Sequence, residues 1–527
     1  MALLHLPQDV LQLVSDFAPE ANLGGCCSAF MRMLAHRHVA VLEEQLHILL
    51  PSISSIVHTL CCSMGPPRGE ERFWDVLQRL ETCTHLENVQ IVIPDGHVLT
   101  DATESMLPLT NPFLTSVTIS IGCALLTAGA LSTLLGLFTS GTLPSLAEIR
   151  LIMQPNRHIN PEELDCLTWL WSPNLRLRSL DLVFSGTTWN GDRLLWNCCP
   201  SDGVVLGEMR RLRLRMADTA ISNWAAEDVI PELLRTHPHL TDLDLNINRG
   251  DLFTRRSIHS LTQAIANLTG LRRLRLEIEG CDMCDTSALG KLQALPHLHT
   301  LQLFIGHNPQ LNVRMAMGLR RLLHHRFKCL TLDFSHTQVP AIECAYLTGL
   351  SHLTLRSSST MHHGGIGMLR SCAPGALEHI ALDFSVVRLG DLGCRHLGHT
   401  LMRFTNTSTL IINLRNNLLR DVGLHALLTA VEAMKRLRHL ELRLDGNLIT
   451  IVGVRSFGRL LQLHPDCTMV VDVSSNPIGY DGARILAMLS EHRPKLNVLV
   501  RSSQPMTEPE RYALLGRLTQ WDDAAIF

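Results

Sequence analysis

The stretch LTDLDLNI, from Leu240 to Ile247, decides the fold. Leu243, Leu245 and Ile247 alternate with Asp244 and Asn246. A period of two marks a strand with one buried face. The same frame, L-x-x-L-x-L-x followed by an apolar residue, returns along most of the chain. It reads LENVQIVI from Leu86, LTSVTISI from Leu114, LAEIRLIM from Leu146 and LRSLDLVF from Leu177. It continues as MRRLRLRM from Met209, LRRLRLEI from Leu271, LHTLQLFI from Leu298, LEHIALDF from Leu377 and LRHLELRL from Leu437. Weaker copies start at Phe327, Leu350, Thr407 and Asp466, and starts are about 23 to 32 residues apart. A fixed period in this range is the mark of a solenoid.

Between copies there is room for one helix and two turns, as a parallel crossover requires. RDVGLHALLTAVEAM, from Arg420 to Met434, has the helical pattern, with Val422, Leu424, Leu427, Leu428, Val431 and Met434 at three- and four-residue steps. Each repeat is therefore predicted to be one strand and one helix, and neighbours must stack to bury their apolar faces. Three late repeats add a longer signature: NLLRDVG from Asn417, NLITIVG from Asn447 and NPIGYDG from Asn476. Asn suits tight turns and Gly suits close packing, so a stacked row of turns is expected.

This pattern resembles the leucine-rich repeat family, in its ribonuclease-inhibitor-like class, over roughly residues 55 to 502 and about 14 or 15 repeats. The resemblance implies an α/β leucine-rich repeat solenoid, curved, with parallel strands on the concave face and helices on the convex face. A small N-terminal helical module precedes it.

That module spans residues 1–45, which lack the repeat. Leu6, Pro7, Val10, Leu11, Val14 and Phe17 fit one amphipathic helix with Pro at its entry. Leu23, Cys27, Phe30 and Leu34 fit a second helical piece. These positions resemble an F-box, which implies adaptor binding through Leu6, Pro7, Val10, Leu11, Val14, Phe17, Leu23 and Phe30. The implied partners are a Skp-type adaptor and a cullin. The residues alone also fit a cap over the first repeat's open edge. Residues 46–505 are assigned to the solenoid. Residues 506–527 are assigned to a capping helix and tail, with Thr507 and Glu510 as a capping box.

Composition narrows function. The 527 residues are 46% hydrophobic and 18% charged, enough for a large core. Net charge is −3, and no basic patch is dense enough to suggest nucleic acid as a partner. Ser105 to Ala147 is uncharged, but Gly122, Gly129 and Gly136 and its repeat register argue for strand plus helix rather than a membrane span. Asp9 interrupts the first apolar stretch and no basic run precedes it, so no secretory signal is expected. Sixteen Cys in such a chain suggest reduced thiols and a cytoplasmic or nuclear setting.

No motif points to catalysis. Cys281-x-x-Cys284 is the one C-x-x-C, and structural zinc needs two such pairs. His396 with His399, His324 with His325 and His362 with His363 are close in sequence, but the chain has 27 His. G-x-S-x-G, Walker A and H-E-x-x-H are missing. No catalytic, metal or cofactor residue is assigned, and a non-enzymatic monomer that binds other proteins is expected.

Binding is expected on the strand residues that face away from the helices. One row reads Arg150, Asp181, Arg213, Asp244 and Arg275 over five consecutive repeats. With strands about 4.8 Å apart, opposite charges become lateral neighbours. The row fits a polar recognition strip, but the favoured reading is a self-neutralising ladder that relieves like-charge repulsion. Val92, Ile152 and Val183 lie on the next row as apolar contact candidates. A leucine-rich-repeat scaffold with no ligase role is the second reading of the chain. A Ran-directed leucine-rich GTPase-activating protein is a remote third.

Overall fold

A computed structural model describes the strands His38–Leu42 and Thr59–Ser63 and, with breaks, residues 73–500. The longest breaks are 155–163, 200–207 and 339–346. The chain divides into two compact units. One holds Met1–Asp251 with Asn267–Leu271, the other Leu252–Ala266 with Arg272–Phe527.

The first unit contains β1 (His38–Leu42), β2 (Thr59–Ser63), β3 (Asn88–Ile93), β4 (Val98–Leu99), β5 (Ser116–Ile121), β6 (Leu125–Leu126), β7 (Glu148–Met153), β8 (Ser179–Ser185), β9 (Arg211–Ala217) and β10 (Asp242–Asn246). All but β4 and β6 form one parallel sheet whose strands pair in chain order. Strands β4 and β6 pair separately. The crossovers carry α1 (Ala128–Thr139), a 3₁₀ turn at Asp165–Trp171, α2 (Gly191–Asn197), and a π-turn at Ala225–Val229 that runs into α3 (Ile230–Arg235).

In the second unit the parallel sheet runs through β11 (Arg273–Glu277), β12 (Thr300–Phe304), β13 (Cys329–Asp333), β14 (His352–Arg356), β15 (His379–Asp383), β16 (Thr409–Asn413), β17 (His439–Arg443), β18 (Thr468–Asp472) and β19 (Leu496–Leu499). Its helices are α4 (Arg255–Ala266), α5 (Met317–Leu322), α6 (Gly364–Ser371), α7 (Gly390–Leu401), α8 (Asp421–Glu432), α9 (Ile451–Leu463) and α10 (Gly479–Glu491), with a 3₁₀ turn at Ser287–Ala294. Both units are α/β repeat solenoids of the leucine-rich-repeat type. Helices are about 10 Å across, whereas strands stack about 4.8 Å apart. The sheet therefore takes the inner, concave side of each unit and the helices the outer.

The frame explains the core. Leu240, Leu243, Leu245 and Ile247 are all buried, as are their counterparts Leu271, Leu274, Leu276 and Ile278. Residues between them, such as Asp242, Asp244 and Asn246, are half-buried on the open face.

The weaker frames at Phe327, Leu350, Thr407 and Asp466 yield full strands in register. The parallel sheet also begins earlier than its first clear frame, since β1 lies inside residues 1–45 and pairs with β2.

Two expectations are corrected. Not every repeat has an α-helix: the crossovers at Asp165–Trp171 and Ser287–Ala294 close with 3₁₀ turns. The first is built from Trp, Thr and Cys, weak helix formers, and the second contains Gly290 and is followed by Pro296. And Val422, which the periodicity put on the buried stripe of α8, is 63% exposed. The buried stripe starts one residue later, at Gly423, because Val422 sits where the first turn faces water. Leu392 and Val452 hold the equivalent places in α7 and α9 and are also exposed.

The Asn signature is a hydrogen-bonded ladder. Asn417 Nδ2 donates to Phe384 O at 2.7 Å, and its Oδ1 accepts from Leu389 N–H at 3.0 Å. Asn447 and Asn476 repeat this one and two turns along. The Gly of the signature has a separate reason. Asp391 Oδ1 accepts from the N–H groups of Arg420 and Gly423, so it caps the next repeat's helix. A Cβ on Gly423 would come within 2.6 Å of that oxygen.

Candidate functional site

The open face of the first unit's sheet gathers the charged row. Register puts Arg150 opposite Asp181, Asp181 opposite Arg213 and Arg213 opposite Asp244. The side chains meet as that register demands. Arg150 Nε lies 3.1 Å from Asp181 Oδ2, and Arg213 Nη1 reaches the same oxygen at 3.0 Å. Arg213 Nε donates to Asp244 Oδ2 at 2.9 Å, and Arg215 Nη2 joins it at 2.8 Å. Asp181 is only 8% exposed, whereas the Arg150 side chain is 49% exposed. The carboxylates are thus sunk into the sheet and the guanidiniums form the outer layer. Alternating sign lets long Arg side chains lie flat across short Asp side chains.

Arg215 was missed in the sequence. It lies two residues beyond Arg213, on the row of Ile152 and Val183 rather than the charged row, and a second Arg on the same strand face was the available signal.

The apolar row is interrupted. Ile152 and Val183 are lateral neighbours, but Ser120 stands between Val92 and Ile152. Val183 is in turn opposite Arg215. Val92, Ile152 and Val183 are all half-buried, and Ile152 with Val183 forms a small apolar step beside the arginines.

Arg275 lies on β11 of the second unit. It pairs with Glu277 on its own strand, donates to Gln302 Oε1 at 3.1 Å and lies 4.5 Å over the Phe304 ring. Near it, burial, together with Asp333 and Glu277, raises the Glu279 carboxyl above the ordinary carboxylate range, opposed by Arg356 and Arg275.

The F-box-like residues Leu6, Pro7, Val10, Leu11, Val14, Phe17, Leu23 and Phe30 lie outside the described residues, as do Cys284, His362, His363 and the capping segment 506–527. Cys281 is buried, with its thiol 3.5 Å from Glu279 O, and His325 Nε2 lies 2.6 Å from Leu298 O. On α7, His396 is half-buried and His399 exposed. Cys281 and His325 thus have local structural partners. Among the described residues no helix is long and apolar enough to cross a membrane.

The fold and this face together define a repeat solenoid with a charged, laterally paired sheet surface. No protein-family model matches the chain, and a search of curated proteins finds none similar to it.

Proposed function

We propose that this protein is a protein–protein recognition module whose sheet face holds a target. The observation that carries this reading is the arginine layer over Asp181 and Asp244. It presents Arg150, Arg213 and Arg215 as a fixed array beside the apolar step at Ile152 and Val183. Arg is the residue best suited to binding carboxylates and carbonyls at an interface, and pairing to buried Asp holds each fork in place before a target arrives.

The finer reading is a substrate receptor of a cullin-type ubiquitin ligase. It rests on the F-box resemblance of Leu6 to Leu34: that segment would hold a Skp-type adaptor while the sheet holds the target. A leucine-rich-repeat scaffold without ligase role keeps the second half of this reading and drops the first. Affinity purification of the tagged full chain with mass spectrometry separates them. Recovery of adaptor and cullin supports the receptor; recovery of other partners without them leaves the scaffold.

A further inference from the structure

Among the described residues, the helical side of the first unit carries three exposed tryptophans, Trp169, Trp196 and Trp224, at 42%, 51% and 44% exposure. They come from successive repeats. Trp169 is in the 3₁₀ turn, Trp196 on α2, and Trp224 immediately precedes the π-turn. The rings of Trp196 and Trp224 lie 5.5 Å apart with planes inclined by 32°. They form one wall of a cleft of about 740 Å³, inside the range of roughly 300–1,000 Å³ usual for ligand clefts. Its lining also includes the charged residues Asp165, Glu227, Asp228, Glu232, Arg193 and Arg235. Arg235 is engaged with Glu232. Asp165 and Asp228 are exposed and have no ion pair among the described residues.

The local sequence builds this wall. Pro231 in the first turn of α3 has no N–H to donate, and its ring crowds the carbonyl four residues back. The chain answers by widening the preceding turn, so the Ile230 N–H reaches back five residues to Ala225 O. Such π-turns occur often at functional sites. Here the widened turn carries Glu227 and Asp228, both on the cleft.

We propose that this cleft binds an arginine side chain on a peptide segment of a partner protein. The aromatic pair and the carboxylates are independent features that agree on the ligand. An indole face attracts a cation placed within about 6 Å of its centroid. A guanidinium can stack on that face and fork to a carboxylate in one pose, which a compact ammonium cannot do. The alternative occupant of an exposed tryptophan patch is a second copy of the chain, but that arrangement sets the acidic rims of two clefts against each other.

The test uses the full chain and two labelled peptides, Gly-Arg-Gly-Arg-Gly and Gly-Lys-Gly-Lys-Gly, with fluorescence anisotropy and tryptophan emission as readouts. The arginine peptide is expected to bind and to shift tryptophan emission, and the lysine peptide to bind several-fold more weakly. Trp196→Ala or Trp224→Ala is expected to weaken binding about tenfold. Asp228→Asn is expected to weaken it less. Equal binding of both peptides, or affinity unchanged in both tryptophan variants, would mean diffuse charge attraction and overturn the proposal. So would no binding at millimolar peptide, or sedimentation showing a dimer that Trp196→Ala dissolves. If a tryptophan variant misfolds by circular dichroism, the arginine-to-lysine ratio measured on the unaltered chain decides.

Discussion

Asn447 Oδ1 accepts the backbone N–H of Asn417, one repeat away, at 2.9 Å. The same oxygen takes Leu419 N–H at 3.0 Å, and Nδ2 donates to Leu414 O and Leu444 O. Backbone groups of two repeats thus converge on one side chain that is 3% exposed. Asn447→Ala takes this partner from Asn417 N–H, Leu419 N–H and Leu414 O, at about 1–3 kcal/mol for each group that finds no water, while Leu444 O keeps Asn476 Nδ2. Chemical denaturation is expected to show a loss of about 3 kcal/mol or more. Hydrogen exchange should localise the loosening to α8, α9 and β17 between them. An unchanged midpoint would mean that water replaces the ladder at no cost.

Two glycines of α9 are expected to respond in opposite directions. A Cβ on Gly453 would lie 2.5 Å from Asp421 Oδ1 and 2.8 Å from Ile449 Cγ2, whereas a Cβ on Gly458 meets nothing within 4 Å. Asp421 caps α9 through the Thr450 and Gly453 N–H groups, so Gly453→Ala pushes the cap away. It should lower stability by about 1–3 kcal/mol. Gly458→Ala adds helix propensity in open space and should raise it by about 0.5–1 kcal/mol. Thermal melts of the two variants check both signs.

The arginine row gives a third expectation. Arg213 serves Asp181 and Asp244 together, so Arg213→Met leaves two sunken carboxylates each short of a partner. A loss of about 2 kcal/mol is expected, with Asp244→Asn alone costing less. A charge swap of Arg213 with Asp244 should not restore the parent. The new carboxylate at 213 would face Asp181, and the new guanidinium at 244 would face Arg215. Full rescue by the swap, measured in a double-mutant cycle, would show that the row acts as isolated pairs.

Much of this was legible in the sequence because burial on a period of two is a strong signal. Leu243, Leu245 and Ile247 named the strand, and the Arg150–Asp181–Arg213–Asp244 neighbours followed once parallel stacking was assumed. The failures have physical causes. Val422 is apolar but sits on a first helical turn that faces water. Asn308 makes the same ladder bonds as Asn447, donating to Ile278 O and accepting from Cys281 and Met283 N–H. It lacks the apolar residue two positions on and the Gly six on, so the signature passed over it. The tryptophan cleft was hidden because helix-side spacing varies with the 3₁₀ and π turns. No sequence period lines up Asp165, Trp196 and Trp224.

His237 makes stability depend on pH. It is fully buried, with Nδ1 2.8 Å from Leu233 O and its ring edge-on to Trp171. Nε2 is buried without a hydrogen-bond partner among the described residues, so a second ring proton has no acceptor there. Burial holds its pKa below the ordinary 6.5, against the pull of the Leu233 carbonyl. The unfolded chain takes up this proton as pH falls past 6.5 and the folded chain resists. The contribution is therefore whole above pH 6.5 and is lost as pH drops from there toward the lower folded value. His464 adds in the same direction, again through burial. Melting temperature is expected to be flat above pH 7 and to fall below 6.5, with a shallower fall in His237→Phe. An equal slope in that variant would place the pH dependence elsewhere.

The ligase reading turns on residues 6–34, and one titration tests it. Recombinant Skp-type adaptor is added to three proteins: the full chain, the Leu6→Ala/Pro7→Ala double variant, and a chain that starts at His38. That start keeps β1, whose pairing with β2 a cut at residue 46 would destroy. A substrate receptor should bind adaptor at or below micromolar concentration as the full chain. Binding should weaken at least tenfold in the double variant and vanish in the shortened chain, with the melting temperature of the solenoid little changed. Failure of the full chain to bind at micromolar adaptor, together with early melting of the shortened chain, would contradict the receptor reading. The N-terminal segment would then be a cap on the repeat edge.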